Sequence, residues 1–145
     1  MKNSLILFVM LQFFCSEVNA QKLSNSKVLG KWQFAQITLV SPKQGYIPSF
    51  ETQETNLMRL SMANYTFNED GSVVLAEEYT KKTGIVKATW KLNADQTGLD
   101  ITYYFSEESA KNPETLPWKV ENVTATDLSL KLQKIFVVKF KKTGK

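Results

Sequence analysis

Histidine is missing from this 145-residue chain, cysteine occurs once (Cys15) and arginine once (Arg59). Each shortage removes a class of chemistry. Without imidazole there is no serine or cysteine nucleophile with a histidine base, and no ordinary His/Cys zinc site. A single cysteine rules out an internal disulfide, even in a compartment that would permit one. Only Arg59 has the planar fork that grips a phosphate or carboxylate bidentately. The net charge of +4 therefore rests on lysines spread along the chain, grouped only at Lys81-Lys82 and in the tail KFKKTGK. Lysines facing outward on strands form a solvated face that also protects sheet edges, so nucleic acid is not expected as a partner. An anionic cell surface, reached by general attraction, fits better.

Residues 1–20 read as a secretory signal peptide. Lys2 gives a positive start, Leu5 to Leu11 with Phe13 and Phe14 an apolar stretch, and Val18-Asn19-Ala20 a small-residue cleavage site. The stretch is too short to span a bilayer. Cleavage after Ala20 leaves residues 21–145, secreted or periplasmic. A rival reading anchors the chain by lipidation of Cys15, which the bulky Phe14 before it disfavours. Loss of Lys2 and Glu17 leaves the net charge at +4. A chain of this size buries roughly two-thirds of its unfolded surface, enough for one domain without staples. No repeat, linker or low-complexity tract divides it.

From Trp32 onward the dominant period is two, the mark of strands with one buried and one wet face. DLSLKLQ sets Leu128, Leu130 and Leu132 against Asp127, Ser129, Lys131 and Gln133. GLDITYYF sets Leu99, Ile101, Tyr103 and Phe105 on one side, and IVKATWKL does so with Val86, Ala88, Trp90 and Leu92. Asn68-Glu69-Asp70-Gly71 suits a tight hairpin, because glycine takes the positive φ such turns need. Loops ending in Gly84 and Gly98 separate other runs, while Pro113 and Pro117 discourage regular structure in SEESAKNPETLPW. The pattern predicts eight strands, near 31–40, 64–68, 72–80, 84–92, 98–106, 117–123, 127–133 and 135–141. FETQETNLMRLSMA departs from it: Leu57 and Leu60 recur at helical spacing, predicting one short helix at about 51–62. The loop SPKQGYIPS before it is long enough to lie across an opening.

Eight antiparallel strands in sequence lose their free edges by closing into an up-and-down barrel, which is either filled or holds one small ligand. The expected fold is all-β. Such a barrel needs one end sealed, and Gly30-Lys31-Trp32 supplies a bend followed by a large aromatic. Leu29-Gly30-Lys31-Trp32 resembles the G-x-W signature that opens the first strand of lipocalins. The remainder is similar to the compact, calycin-like lipocalin-like domains of exported bacterial proteins, notably of the Bacteroidetes. Tyr65 to Val73 resembles their aromatic–Asn–x–Asp–Gly hairpin. Thr89-Trp90-Lys91-Leu92 with Leu99-Asp100-Ile101 resembles their W-x-L and L-x-I strands, and Asp127-Leu128-Ser129-Leu130 their strand near the end. Two features of larger lipocalins are missing: the T-D-Y motif, and the last-strand arginine over the tryptophan, for which Lys139 or Lys141 are the candidate substitutes. The resemblance implies a non-enzymatic binding protein.

The candidate ligand-binding residues are Trp90, Tyr103, Phe105, Trp118 and Leu130, aromatics and a leucine on inward faces that supply broad apolar contact. The competing reading is that they simply fill the barrel. Glu77 shares parity with Val73, Leu75 and Tyr79, which would aim a carboxylate inward toward a ligand's amine or hydroxyl; a register-shifting bulge is the simpler account. Trp32 is a structural plug. Asn64-Tyr65-Thr66 and Asn122-Val123-Thr124 match the N-glycosylation pattern, which carries no meaning in a bacterial chain. Glu107 and Glu108 are too local to act as a glycosidase pair. No catalytic residue, metal or cofactor is expected. The leading expectation is thus a barrel holding a small, mainly apolar, uncharged or weakly cationic molecule. Behind it stands a filled barrel that binds a protein or envelope surface through Tyr104 and the loop 41–50. An enzyme working through carboxylates or tyrosines is a distant third.

Overall fold

The computed structural model of the chain describes residues 22–40, 60–109, 111–132 and 136–144. The expected signal peptide with Cys15, the loop 41–50 and Arg59 lie outside the described residues. So does most of the helix expected at 51–62; of its end, Leu60 and Ser61 are helical, and the Ala63 amide donates to the Leu60 carbonyl.

Eight strands close into one antiparallel up-and-down barrel, as expected. They are β1 (Gly30–Leu39), β2 (Tyr65–Phe67), β3 (Ser72–Leu75), β4 (Ile85–Leu92), β5 (Gly98–Phe105), β6 (Glu114–Val123), β7 (Asp127–Leu132) and β8 (Phe136–Lys142). Short helices accompany them among the described residues, including α1 (Asn25–Val28) before β1 and α2 (Glu77–Thr83) between β3 and β4. Each strand pairs with its neighbours in sequence, and β1 closes the ring on β8 from Trp32 opposite Lys142 to Leu39 opposite Phe136.

Alternation decides which side chains go inward. Leu128, Leu130 and Leu132 of β7 are buried, as are Leu99, Ile101 and Tyr103 of β5 and Phe136, Val138 and Phe140 of β8. In β4 the expected parity fails at its first residues. Val86 is 66% exposed and Ile85 is buried instead. A bulge explains it: Ile85 faces Phe105 and Lys87 faces Tyr104, so Val86 is an extra residue that reverses the faces. A second bulge, in β1 between Phe34 and Gln36, is tied by the Phe34 amide donating to Asn64 Oδ1 at 2.8 Å. That bond gives Asn64 a structural task unrelated to glycosylation.

Two further expectations need correction. The third strand stops at Leu75 and does not run to 80, because Glu77–Thr83 is helical. Glu77 and Glu78 sit in its first turn and Lys81 and Lys82 in its last, matching the helix dipole. Gly84 then ends it at φ +73°, its N–H donating to the Thr80 carbonyl. The sixth strand begins at Glu114, before Pro117. Among the described residues, 114–117 pair only with β5, and pairing with β7 starts at Trp118, so Pro117 lies outside the described β6–β7 ladder.

The barrel's two ends differ. One carries the tight turns β2–β3, β4–β5 and β6–β7 together with α1. In the first turn Gly71 takes φ +81°, Asp70 Oδ1 accepts from the Ser72 amide and hydroxyl, and the Gly71 carbonyl accepts from the Trp90 amide. In the second, Asn93 Oδ1 accepts from the Thr97 and Gly98 amides, and the Gln96 carbonyl ties down Leu23 of the α1 segment. Trp32 seals this end. It is wholly buried, its indole N–H donates to the Val28 carbonyl at 2.7 Å, and Lys142 Nζ stands 5.1 Å from its ring centre. Lys142 therefore takes the place over the tryptophan, and neither Lys139 nor Lys141 does: Lys139 is exposed, and Lys141 pairs with Asp127 on the outer face. Gly30 makes room for this lysine, since a Cβ there would come within 2.9 Å of Lys142 Cε, and its φ of +115° suits glycine.

Candidate functional site

Toward the opposite end the barrel is partly hollow. A cavity of about 300 Å³ lies there, at the lower limit of ordinary small-molecule sites. Its walls are Ile85, Tyr103, Phe105, Leu116, Leu132 and Phe136 from the strands, Tyr79 and Thr83 from α2, Leu60, and the charged pair Lys111 and Glu114. The hollow follows from the wall. β3 and β4 pair only at Ser72 with Thr89 and Val73 with Ala88, so above that level α2 stands where strand would continue. Tyr79 is the buried residue of α2, and it reaches the cavity from there.

Of the six predicted ligand-binding residues, the structure brings Tyr103 and Phe105 to the cavity. Trp90 and Trp118 are buried and Leu130 wholly so, but none of the three borders it. Trp90 belongs to the sealed end, its indole N–H donating to the Asn68 carbonyl at 2.9 Å and Phe67 packed edge-on at 5.5 Å. Glu77 is corrected outright. It is exposed at the start of α2, paired with Lys81 at 2.6 Å, and no bulge is needed to turn it from the barrel. Water solvates that carboxylate better than the barrel interior would.

Between the filled half and the hollow half lies a polar layer. Tyr103, a wall of the cavity, shares a hydrogen bond with Tyr65 at 3.1 Å between the hydroxyls. Tyr65 is buried, stacked on Phe67 at 5.5 Å and meeting Phe140 edge-on. Burial pushes the pKa of both phenols up, Tyr65 well above the usual value; Tyr79 adds to both rises and Tyr103 to that of Tyr65, while the bond with Tyr65 opposes the rise at Tyr103. Both phenols are therefore neutral donors at any physiological pH. The Trp118 indole N–H lies close enough to Tyr103 to oppose that rise, yet outside hydrogen-bond geometry. It is buried with no hydrogen-bond partner among the described residues.

At the mouth, Lys111 Nζ lies 5.3 Å from the centre of the Phe105 ring. Glu114 also borders the cavity there. Among the described residues no three metal-ligating side chains gather, and no helix is long and apolar enough to cross a membrane.

Sequence reasoning missed Tyr65, Tyr79, Leu116 and Phe136. Phe136 was within reach, since it continues the parity of Val138 and Phe140 in β8. Tyr79 was hidden by the strand assigned to its segment, although the order of acids, bases and glycine around it is a helix signal. The hydroxyl pair joins residues 38 apart in sequence, and no local pattern encodes it. A scan against protein-family models, a search of curated proteins and a search of solved structures each gave no match to this chain.

Proposed function

We propose that the mature chain is a non-enzymatic carrier, a lipocalin-like barrel that holds one small, mainly apolar molecule after export to the periplasm or beyond the cell. The observation that carries this reading is the cavity walled by Phe105, Leu116, Leu132 and Phe136, in a barrel whose other end is packed around Trp32. A barrel needed only as a scaffold gains stability by filling that space, since interiors ordinarily approach crystal density. Here a helix replaces strand in the wall and the space stays.

Titration with a small uncharged fluorescent probe, 1-anilinonaphthalene, tests the proposal. Saturable binding of one probe per chain is expected, and Leu116→Trp should abolish it by occupying the cavity while the unfolding midpoint stays high. Absence of saturable binding by uncharged apolar probes would overturn the carrier reading and return the barrel to a role on a protein or envelope surface.

A further inference from the structure

On the outer face of the barrel two bulges stand at one level. In β1 the extra residue is Ala35, next to Gln36, which faces Lys139 of β8. In β6 it is Glu121, next to Asn122, which faces Ser129 of β7. Ser129 and Lys139 face each other in turn, so Gln36, Lys139, Ser129 and Asn122 form one row across four strands. At the usual strand spacing the row is about 14 Å long. We propose that it binds an acidic oligosaccharide, a chain of sugar hydroxyls with carboxylates spaced along it. The inference stands apart from the carrier reading, since the row and the cavity share no residue among those described.

The bulges shape the surface here. Each bends its strand and turns two consecutive side chains outward: Ala35 and Gln36 are exposed, as are Glu121 and Asn122. Between them lies a shallow depression of about 390 Å³ over β8 and β7, bordered by all four residues of the row. Asp127 borders it too, but Lys141 and the Thr126 hydroxyl hold that carboxylate. Glu121 reaches Lys131 at 3.7 Å and is not among the described residues bordering the depression. Lys139 is therefore the one charge in it without a counter-charge among the described residues. The side chains of Gln36, Ser129 and Asn122 make no hydrogen bond among those residues either.

These groups describe a ligand. An amide offers donors and an acceptor, a hydroxyl both in one atom, and sugar hydroxyls answer each of them. An ammonium takes a carboxylate through charge-assisted bonds. One free ammonium beside a bonded carboxylate suits spaced charges, whereas a densely charged chain such as a nucleic acid meets Asp127 as well as Lys139. Attraction over longer range favours an anion. The strands β7, β8 and β1, side by side in the ring, carry Lys31, Lys131, Lys139, Lys141 and Lys142 against the single acid Asp127. A bilayer fits less well. A concave row lies out of reach of a plane, and the exposed large apolar side chains among the described residues, Val74 and Val86, stand on β3 and β4.

Calorimetric titration of the full mature chain at low ionic strength compares hexagalacturonate, maltohexaose and hexaglutamate. Hexagalacturonate should bind saturably, one per chain, and at least about tenfold more tightly than either of the others. Lys139→Gln should weaken it about tenfold, while Lys91→Gln, on the exposed side of β4, should leave it unchanged. Both lysines are exposed, so the variants keep the fold. The side-chain amide signals of Gln36 and Asn122 should shift during the titration in a nitrogen–proton correlation spectrum. Equal binding of hexaglutamate would overturn the proposal by reducing the face to attraction between charges. Equal binding of maltohexaose would overturn it by removing the part of Lys139. No binding of hexagalacturonate would overturn it too, and capture of the chain by phosphatidylglycerol vesicles in that case would assign the face to a membrane. None of these outcomes bears on the cavity, whose test uses 1-anilinonaphthalene.

Discussion

Replacing Trp32 with alanine tests the logic of the sealed end, and the structure supplies the parts of the expected loss. The side chain is wholly buried, so its removal deletes apolar contact and leaves a cavity, which costs about 3–5 kcal/mol for an aromatic. The Val28 carbonyl loses the indole N–H that reaches it at 2.7 Å, a net loss on the order of 1 kcal/mol. Lys142 loses the ring beneath its ammonium, about 0.5–1 kcal/mol at a half-exposed site. These parts overlap, since one empty volume accounts for all of them, and the expected total is about 4–6 kcal/mol. Against a domain stability of about 5–15 kcal/mol that is a large share. Urea denaturation followed by far-ultraviolet circular dichroism measures it, with a fall in midpoint on the order of 2 M at an unchanged slope. The ordering of variants is the sharper check. Trp32→Phe keeps most of the volume but loses the donor, and should cost about 1–2 kcal/mol. Lys142→Met keeps an apolar stem over the ring and should cost less than about 1 kcal/mol. A loss below about 1 kcal/mol for Trp32→Ala would refute the plug. So would a Lys142→Met variant less stable than Trp32→Phe.

Four further outcomes follow from the geometry. Gly98→Ala should destabilise by more than about 2 kcal/mol in the same denaturation assay, because a Cβ there would stand 2.3 Å from the Trp118 carbonyl and force β5 from β6. Glu77→Gln should change stability by less than about 0.5 kcal/mol and leave probe titrations untouched, since its ion pair with Lys81 is exposed and far from the cavity wall. Bonds from Ser72, Thr97 and Lys141 hold Asp70, Asp95 and Asp127 below the usual carboxylate range, so their stabilising effect is complete above about pH 4 and fades as acid titrates the folded carboxylates. The Tyr65–Tyr103 pair works in the opposite sense: its raised pKa values favour the folded state fully below about pH 10, and that contribution drains away as pH climbs toward the folded values, which thermal melts from pH 8 to 11 read directly.

How much of this was legible depends on whether a residue's position is set by its neighbours in sequence or by the ring's closure. Leu128, Leu130 and Leu132 declared their face by simple alternation, because β7 is paired on both sides without a bulge at its own residues. Trp32 declared its task through the glycine before it. Val86 misled because Ile85 and Val86 are both apolar, so the period alone leaves two registers open and only the pairing with Tyr104 and Phe105 chooses between them. The run Val73-Val74-Leu75-Ala76-Glu77-Glu78-Tyr79 misled in another way. Its first half carries strand parity and its second half the charge order of a helix, and parity alone does not mark the join. The cavity lies at that join, since Tyr79, one of its two lining tyrosines among the described residues, sits on the helix.

The helix also explains why a barrel so closely packed at one end is hollow at the other. A strand continuing β3 would bring alternate side chains inward at every second residue and fill the space above Tyr103. A seven-residue helix delivers one buried side chain, Tyr79, and turns Glu77, Glu78, Lys81 and Lys82 to solvent. Its charges suit that place, acids first and bases last, so the helix is stable without an N-terminal side-chain cap. Substituting this segment with strand-forming residues should therefore raise thermal stability while it erases probe binding, a trade that a purely structural barrel would not show. If such a variant were less stable and still bound 1-anilinonaphthalene, the helix would be a packing element of the wall, and the cavity beside it would owe its volume to something else.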